Sequence, residues 1–203
     1  MASTTTQTTI INRGLQILGY KAVGSINDND RGARAMLRAY DSVLADELRA
    51  HHWNFALRRA VLPASATPPA FGKANYFPLP PDFLDLAPLD PTFGANGGGP
   101  ISGPPAITDW QIEGNQIASD DQAPINIRYV SSDVTESLFD PNFAEAFAAK
   151  LAAMTCEELT QSNTKLAAAG AIYDRAIERA SNRNAFENRP VQPQLDSWIS
   201  ARF

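Results

Sequence analysis

Hydrophobic residues recur at steps of three and four positions toward both ends of the chain, a pattern typical of amphipathic helices. The pattern predicts four helices, in two pairs distant in sequence, over residues 8–18, 30–50, 140–159 and 164–181. Gly19 is placed to end the first helix, and Asp28 or Asn29 is available to cap the second. The third helix is predicted to begin at Asp140 and Pro141, an N-cap followed by a proline at the first helical position.

The second predicted helix has the clearest apolar stripe, and arginines occupy its opposite side. The stripe consists of Ala33, Met36, Leu37, Tyr40, Val43, Leu44 and Leu48. The fourth predicted helix is expected to bury Leu166, Ala169, Tyr173, Ile177 and Ala180. Because an amphipathic helix is stable only when its apolar face is covered, we expect the four helices to pack as one bundle.

β-structure is predicted between the two helix pairs. Residues 54–62 are expected to form a half-buried strand, from the spacing of Phe55, Leu57, Arg59 and Val61. Residues 109–118 predict a hairpin, since Gly114 and Asn115 supply its turn. Residues 125–129 alternate apolar and polar side chains and predict another strand.

Proline and glycine separate the middle of the chain from its flanks. Twelve of the 15 prolines lie between positions 63 and 124, which excludes continuous helix there. The sequence therefore predicts an α+β fold in three parts. Residues 1–62 and 140–183 form a four-helix bundle domain that includes the first strand, residues 63–139 form a Pro/Gly-rich antiparallel β insertion, and residues 184–203 form an extended C-terminal tail.

Composition narrows the classes of function. The chain of 203 residues has 44% hydrophobic residues, enough for a real core, and a net charge of −5, unlike a protein that coats nucleic acid. One cysteine and two histidines leave too few ligands for a usual zinc or iron site. No apolar run is long enough to span a membrane and no signal peptide is visible, so we expect a soluble protein in a cytosol-like compartment.

Candidate catalytic groups are few. The chain has no phosphate-binding glycine motif and no serine-nucleophile motif. His51 and His52 are expected to end the second helix, with an acid/base role as the alternative, and Cys156 is expected to be a buried apolar residue. Asp120 and Asp121 are most simply a solvated turn, with metal binding as the alternative. We therefore predict no enzyme, no catalytic or metal-binding residue and no cofactor.

Charge divides the chain in the same way. Residues 1–62 have eight Lys/Arg against five Asp/Glu, whereas residues 63–139 have two against nine. The basic residues include a face formed by Arg31, Arg34, Arg38, Arg58 and Arg59. This basic face is either an ordinary solvated surface or a contact for an acidic partner, and the acidic segment of a second copy would complement it.

Several motifs in order resemble the tail tubular protein A, or head-to-tail adaptor, family of short-tailed bacteriophages. The match runs over about residues 10–180 and includes Ser25-Ile26 with Asp28, and the sequence L-x-x-H-x-W-N-F-A from Leu48 to Ala56. It continues with Phe77-Pro-Leu-Pro-Pro-Asp82, the hairpin WQIEGNQI, the strand IRYV and the helix start FDPNF.

The resemblance implies a virion structural protein that is assembled in the host cytoplasm. It would form a homo-oligomeric ring of about twelve copies between the portal protein and the tail nozzle protein. DNA would pass through the ring without sequence-specific binding, and no membrane would be involved. The alternatives are a glycan-binding or glycan-hydrolysing tail component and an unrelated cytoplasmic binding module.

The ring leads to two expectations about residues. Lumen-facing side chains should be acidic or neutral, because cationic ones would hold DNA; the candidates are Asp82, Asp85, Asp90, Asp120 and Asp121. The tail should cover its apolar side chains by docking on the portal or on a neighbouring subunit, with a return onto its own bundle as the alternative. The docking candidates are Leu195, Trp198, Ile199 and Phe203.

Overall fold

The computed structural model describes residues 5–87 and 109–187. Within them the protein has a mixed α+β fold, with four α-helices and two small antiparallel sheets. The helices are α1 (Gln7–Ile17), α2 (Arg31–Ala50), α3 (Pro141–Thr160) and α4 (Asn163–Phe186). The four helices predicted from hydrophobic spacing are thus present, with shifts at their ends.

The helix ends show which of the predicted caps form. Asp140 caps α3 with Pro141 at its first position, and Gly19 has a positive φ of 64° just after α1, both as predicted. The cap of α2 is Asp30, so the prediction of Asp28 or Asn29 is wrong. The Asp28 carboxylate instead accepts hydrogen bonds from the backbone N–H groups of the preceding turn. Asp28 therefore closes its own turn, as aspartate side chains often do, and does not cap the helix.

Helix α3 lies at the centre of the helical region and packs against α1, α2 and α4. Its alanines allow this, because small side chains let neighbouring helices approach. At Gly14 of α1, an added Cβ would lie 3.1 Å from the carbonyl oxygen of Ala148. Beside this contact, Arg13 forms a two-point ion pair with Glu145 of α3. Close backbone packing and a charged clamp therefore fix α1 on α3.

The six strands form two three-stranded sheets. They are β1 (Leu57–Leu62), β2 (Asn75–Pro78), β3 (Phe83–Ala87), β4 (Trp110–Glu113), β5 (Gln116–Ser119) and β6 (Ile125–Ser131). In the first sheet β6 lies between β1 and β3, and in the second β5 lies between β2 and β4. The predicted hairpin is confirmed as β4–β5, with Gly114 at a positive φ of 61° in its turn. The strand predicted over 125–129 is confirmed as β6.

The first predicted strand is wrong in its start and in its facing. Residues Asn54–Ala56 form a short 3₁₀ helix, and the strand begins at Leu57. Phe55 and Leu57 pack on the helical core, as their spacing predicts, whereas Val61 is 61% exposed. The turn after α2 shifts the strand, so that Ala60 and Leu62 face the sheet core instead. Side chains alternate between the two faces of a strand, so a shift of one residue moves each of them to the opposite face.

Two residues of the predicted helix stripes are exposed. Leu37 of α2 is 37% exposed and Leu166 of α4 is 43% exposed, so both predictions of burial are wrong. The other end of α4 also differs, because the helix continues to Phe186, beyond the predicted boundary between bundle and tail at residue 184.

An aromatic cluster joins the helices to the turn that leads into β1. Trp53 is 1% exposed and its ring contacts those of Phe55 and Phe143 at centroid distances of 6.1 and 4.9 Å. The cluster extends through Phe139 to Phe147. The Trp53 indole N–H donates to the carbonyl oxygen of Glu47, at 2.9 Å. This bond satisfies a carbonyl of the last turn of α2, where no helical partner is left.

A buried carboxylate links three helices behind this cluster. The Glu47 side chain of α2 is 4% exposed and accepts hydrogen bonds from the Tyr173 hydroxyl of α4, at 3.1 Å to each oxygen. The Lys150 ammonium of α3 lies 3.6 Å from it and 4.7 Å from the centre of the Tyr173 ring. Burial and the charge of Glu47 raise the pKa of Tyr173. The carboxylate therefore has both a neutral donor and a cation.

Replacing Trp53 with alanine should lower the free energy of unfolding by about 3–5 kcal/mol, because a large cavity opens and the Glu47 carbonyl loses its donor. Urea unfolding followed by circular dichroism measures the change. The matched control is Trp110→Ala, since Trp110 is 41% exposed on β4 and should cost under about 1 kcal/mol. Equal costs for the two substitutions would show that Trp53 does not hold the core.

Tyr173→Phe should cost about 1–3 kcal/mol, because the buried Glu47 carboxylate loses a hydrogen bond. The matched control, Tyr76→Phe, removes a hydroxyl that donates to Glu113 at the surface and should cost less. The pKa of Tyr173 is raised in the folded state. The hydroxyl therefore contributes fully to the free energy of unfolding below pH 10, and this contribution is lost as the pH rises further. The variant should therefore lose less stability than the unmodified protein above about pH 10; identical alkaline profiles would count against this assignment.

Candidate interaction surfaces

The predicted basic face of α2 is partly engaged within the chain. Arg31 donates to the backbone carbonyl of Glu158 in α3, and Arg38 pairs with the Glu158 carboxylate, both at 2.5 Å. The Arg38 hydrogen bond lowers the pKa of Glu158. Arg34 is exposed on the same helix. The structure thus brings these arginines to the α2–α3 surface.

Arg58 lies apart from the α2 arginines, on β1, and pairs with one of the predicted acidic residues. Its guanidinium lies 3.2 Å from Asp82 and 3.0 Å from Asp133. The Asp82 carboxylate also accepts hydrogen bonds from the hydroxyls of Ser131, at 2.6 Å, and Tyr129, at 3.2 Å. A residue predicted to face a neighbouring subunit and one predicted to face the channel thus form a single network inside one chain.

The network fixes the charge of Asp82. Burial by itself raises the pKa of this carboxyl, but the hydrogen bonds from Ser131 and Tyr129 and the charge of Arg58 outweigh burial and hold the pKa below its ordinary value. The pKa of Tyr129 is raised, mainly by burial and in addition by the charge of the Asp82 carboxylate. Because 18% of the Asp82 side chain remains exposed, solvent still reaches this network.

The other predicted channel residues lie at separate places. Asp120 follows β5. The Lys73 ammonium lies between the carboxylates of Asp120 and Asp109, and its hydrogen bond lowers the pKa of Asp120. Asp121 accepts a hydrogen bond from the Ser119 hydroxyl at 2.7 Å. Asp85 lies on β3 of the first sheet. Asp90 falls outside the described residues, and a common lumen-facing surface stays a prediction.

The two histidines and the cysteine lie in three different environments. His51 ends α2 and its ring packs edge-on against Trp53, with centroids 5.2 Å apart. His52 is exposed, with Nε2 3.9 Å from a carboxylate oxygen of Asp85. Cys156 is buried in α3, as expected.

Two further findings are limited to residues 5–87 and 109–187. No group of three or more His, Cys, Asp or Glu side chains there is placed to hold a metal ion. None of the helices in these ranges is both long and apolar enough to cross a membrane.

An open cleft lies where α4 ends against the turn that leads into β1. Its volume is about 180 Å³, and it is lined by Trp53, Phe55, Leu138, Asp140, Ala180, Arg183 and Glu187, together with the asparagine pair Asn54 and Asn184. Trp53 and Ala180 are at most 2% exposed, whereas Leu138 is 59% exposed. The cleft therefore has an apolar floor, an exposed leucine and a charged edge.

The asparagine pair closes one side of this cleft. The Asn184 side chain accepts a hydrogen bond from the Asn54 backbone N–H at 2.8 Å and donates to the His52 carbonyl at 3.0 Å. In return the Asn54 amide donates to the Asn184 carbonyl at 3.0 Å. Asn184 was predicted to begin the tail, and this is wrong, since it belongs to α4 and fastens the helix to the turn.

The docking candidates of the predicted tail, Leu195, Trp198, Ile199 and Phe203, lie outside the described residues. An exposed apolar pair lies on β4, where Trp110 and Ile112 are 41% and 42% exposed. They lie two positions apart on the strand and therefore on the same face of the sheet.

Comparison of the chain with models of protein families and with curated proteins finds no match. The resemblance to head-to-tail adaptors thus stays a prediction from sequence motifs.

Asp82→Asn should lower the free energy of unfolding at neutral pH by about 1–3 kcal/mol, because Arg58 and two hydroxyls lose a charged acceptor. The depressed pKa of Asp82 means that its contribution is present above pH 3.8 and is lost as the pH falls through the folded-state value. The variant should thus show a shallower loss of stability in acid. Asp133→Asn is the control: this exposed residue binds the same arginine and should cost less. If both substitutions give the same acid profile, Asp82 does not anchor the network.

Proposed function

We propose that this protein is a head-to-tail adaptor of a short-tailed phage, which forms a homo-oligomeric ring between portal and tail nozzle. One observation carries the proposal. The most specific motif of the resemblance, Leu48 to Ala56, contains Trp53 and Phe55, which join α2, α3 and the first strand. Because these two residues hold the junction of helices and sheet, proteins that share the motif would share the fold around it.

The finer architecture is part of the same proposal. The helices act as one four-helix bundle built from the N- and C-terminal pairs, and the proline-rich segment projects from it as an insertion. The packing of α3 against α1, α2 and α4 supports the bundle. The chain would work in the virion, at the head–tail junction, after assembly in the host cytoplasm.

The contact between subunits in the ring is proposed to use the basic face and the acidic segment of neighbouring copies. Arg31, Arg38 and Arg58 already have partners in their own chain. Exposed ion pairs contribute only about 0–1 kcal/mol each, so Arg38, whose pair with Glu158 is exposed, can exchange that partner for one on a neighbour at small cost, whereas Arg58 stays in the Asp82 network. Acidic residues facing the lumen would let DNA pass, since they repel phosphates.

The test is a truncation that removes residues 188–203, mixed with the portal protein of the same genome. This cut leaves all of α4 and the hydrogen bonds of Asn184 with Asn54 and His52 in the chain. The truncated protein should keep its helical circular dichroism and fail to co-sediment with portal, because it lacks the predicted docking residues. Truncated protein that binds portal normally, or that simply unfolds, would contradict the docking role.

A single substitution refines this test. Trp198→Ala should weaken portal binding by about 2 kcal/mol, roughly 30-fold, since tryptophans dominate binding energy at interfaces. Trp110→Ala serves as the matched control and should leave the affinity unchanged. A larger effect at Trp110 would move the portal-binding surface to β4.

A further inference from the structure

We propose that the cleft beside α4 is a binding site for residues 195–199 of the same chain, with Trp198 as the inserted side chain. The observations that carry this are the shape and chemistry of the cleft and the position of the chain at its edge. Occupancy of the cleft does not depend on the adaptor function.

The cleft fits one large apolar side chain. Its volume of about 180 Å³ is below the range of roughly 300–1,000 Å³ that small-molecule sites occupy. Trp53, Phe55 and Leu138 offer aromatic and aliphatic contacts. The polar groups of Asn54 and Asn184 bond to each other, so an apolar guest leaves them satisfied. The aromatic floor therefore accepts an apolar anchor, and the charged side chains of Asp140, Arg183 and Glu187 line the cleft beside it.

The chain leaves α4 at this cleft. Glu187 lines it and, through its carboxylate, accepts a hydrogen bond from the Asn54 amide at 3.3 Å. Seven residues separate Glu187 from Leu195, and an extended chain covers at most about 3.6 Å per residue, ample to turn back over the cleft. Because such a short link gives a millimolar effective concentration, even weak intrinsic affinity fills the site.

The segment has the side chains that this site accepts. Leu195, Trp198 and Ile199 are spaced i, i+3 and i+4, as are the anchors of segments that dock in apolar grooves. Pro190 and Pro193 restrict the link between them and α4, which reduces the entropy lost on docking.

Docking in the cleft has a consequence that rests on the proposed function. Trp198 cannot bind portal while it occupies its own cleft. The free subunit would then hold its docking residues covered, and portal would have to displace them.

A disulfide trap on the full chain tests the site. Leu138→Cys with Ser197→Cys places one thiol on the cleft and one beside Trp198, while the buried Cys156 stays in place. Mild oxidation of dilute protein should form a bond within one chain, seen as a faster band on a non-reducing gel and by peptide mass. The rate should not depend on protein concentration.

Two controls separate docking from random collision of a tethered thiol. Met154→Cys with Ser197→Cys places the thiol on an exposed position of α3, about 21 Å along the helix from Asp140 at the cleft. The cleft pair should react about tenfold faster than this pair, and adding Trp198→Ala to the cleft pair should remove the difference.

Equal rates for the two pairs, or no effect of Trp198→Ala, would overturn the proposal. So would a bond that forms between two chains with a rate that rises with concentration, since the occupant would then be a second copy. Rapid trapping in a protein that never binds portal would leave the cleft assignment standing and contradict only the adaptor function.

Discussion

The fold depends on how the chain turns from the end of α2 into the first sheet. Trp53 fills that turn and contacts Phe55 and Phe143 with its ring, while its N–H satisfies the Glu47 carbonyl at the end of α2. Glu47 is thereby held at its backbone by Trp53 and at its side chain by Tyr173 and Lys150. Trp53 and Glu47, six positions apart, therefore link the first sheet, α2, α3 and α4.

The same junction shapes the surfaces available to partners. The cleft lies over Trp53, and the Asn54–Asn184 pair fixes the end of α4 beside it. Elsewhere most of the predicted charged residues that the structure describes have partners within their own chain, as Arg58 has in Asp82. If the proposed ring forms, charge would adjust how neighbouring copies meet, and apolar anchors would supply the larger share of the binding energy.

Sequence reasoning identified most of the local elements, misplaced the cap of α2 and the start of β1, and missed the contacts between distant residues. Hydrophobic spacing, the Asp140-Pro141 start and the Gly114-Asn115 turn are signals within a few residues, and all of them correspond to elements of the structure. The pairs Arg13–Glu145 and Asn54–Asn184 join residues 132 and 130 positions apart, which no local pattern indicates. The facing of Val61 was missed because the 3₁₀ turn before β1 shifts the strand.

The central claim is that copies of this chain assemble into a ring at a phage head–tail junction. Electron microscopy of the purified protein mixed with the portal protein of its genome tests it most directly. The account predicts class averages in which a ring with rotational symmetry and an open central channel sits on the narrow end of portal. Portal particles without added density, beside compact single subunits, would contradict it.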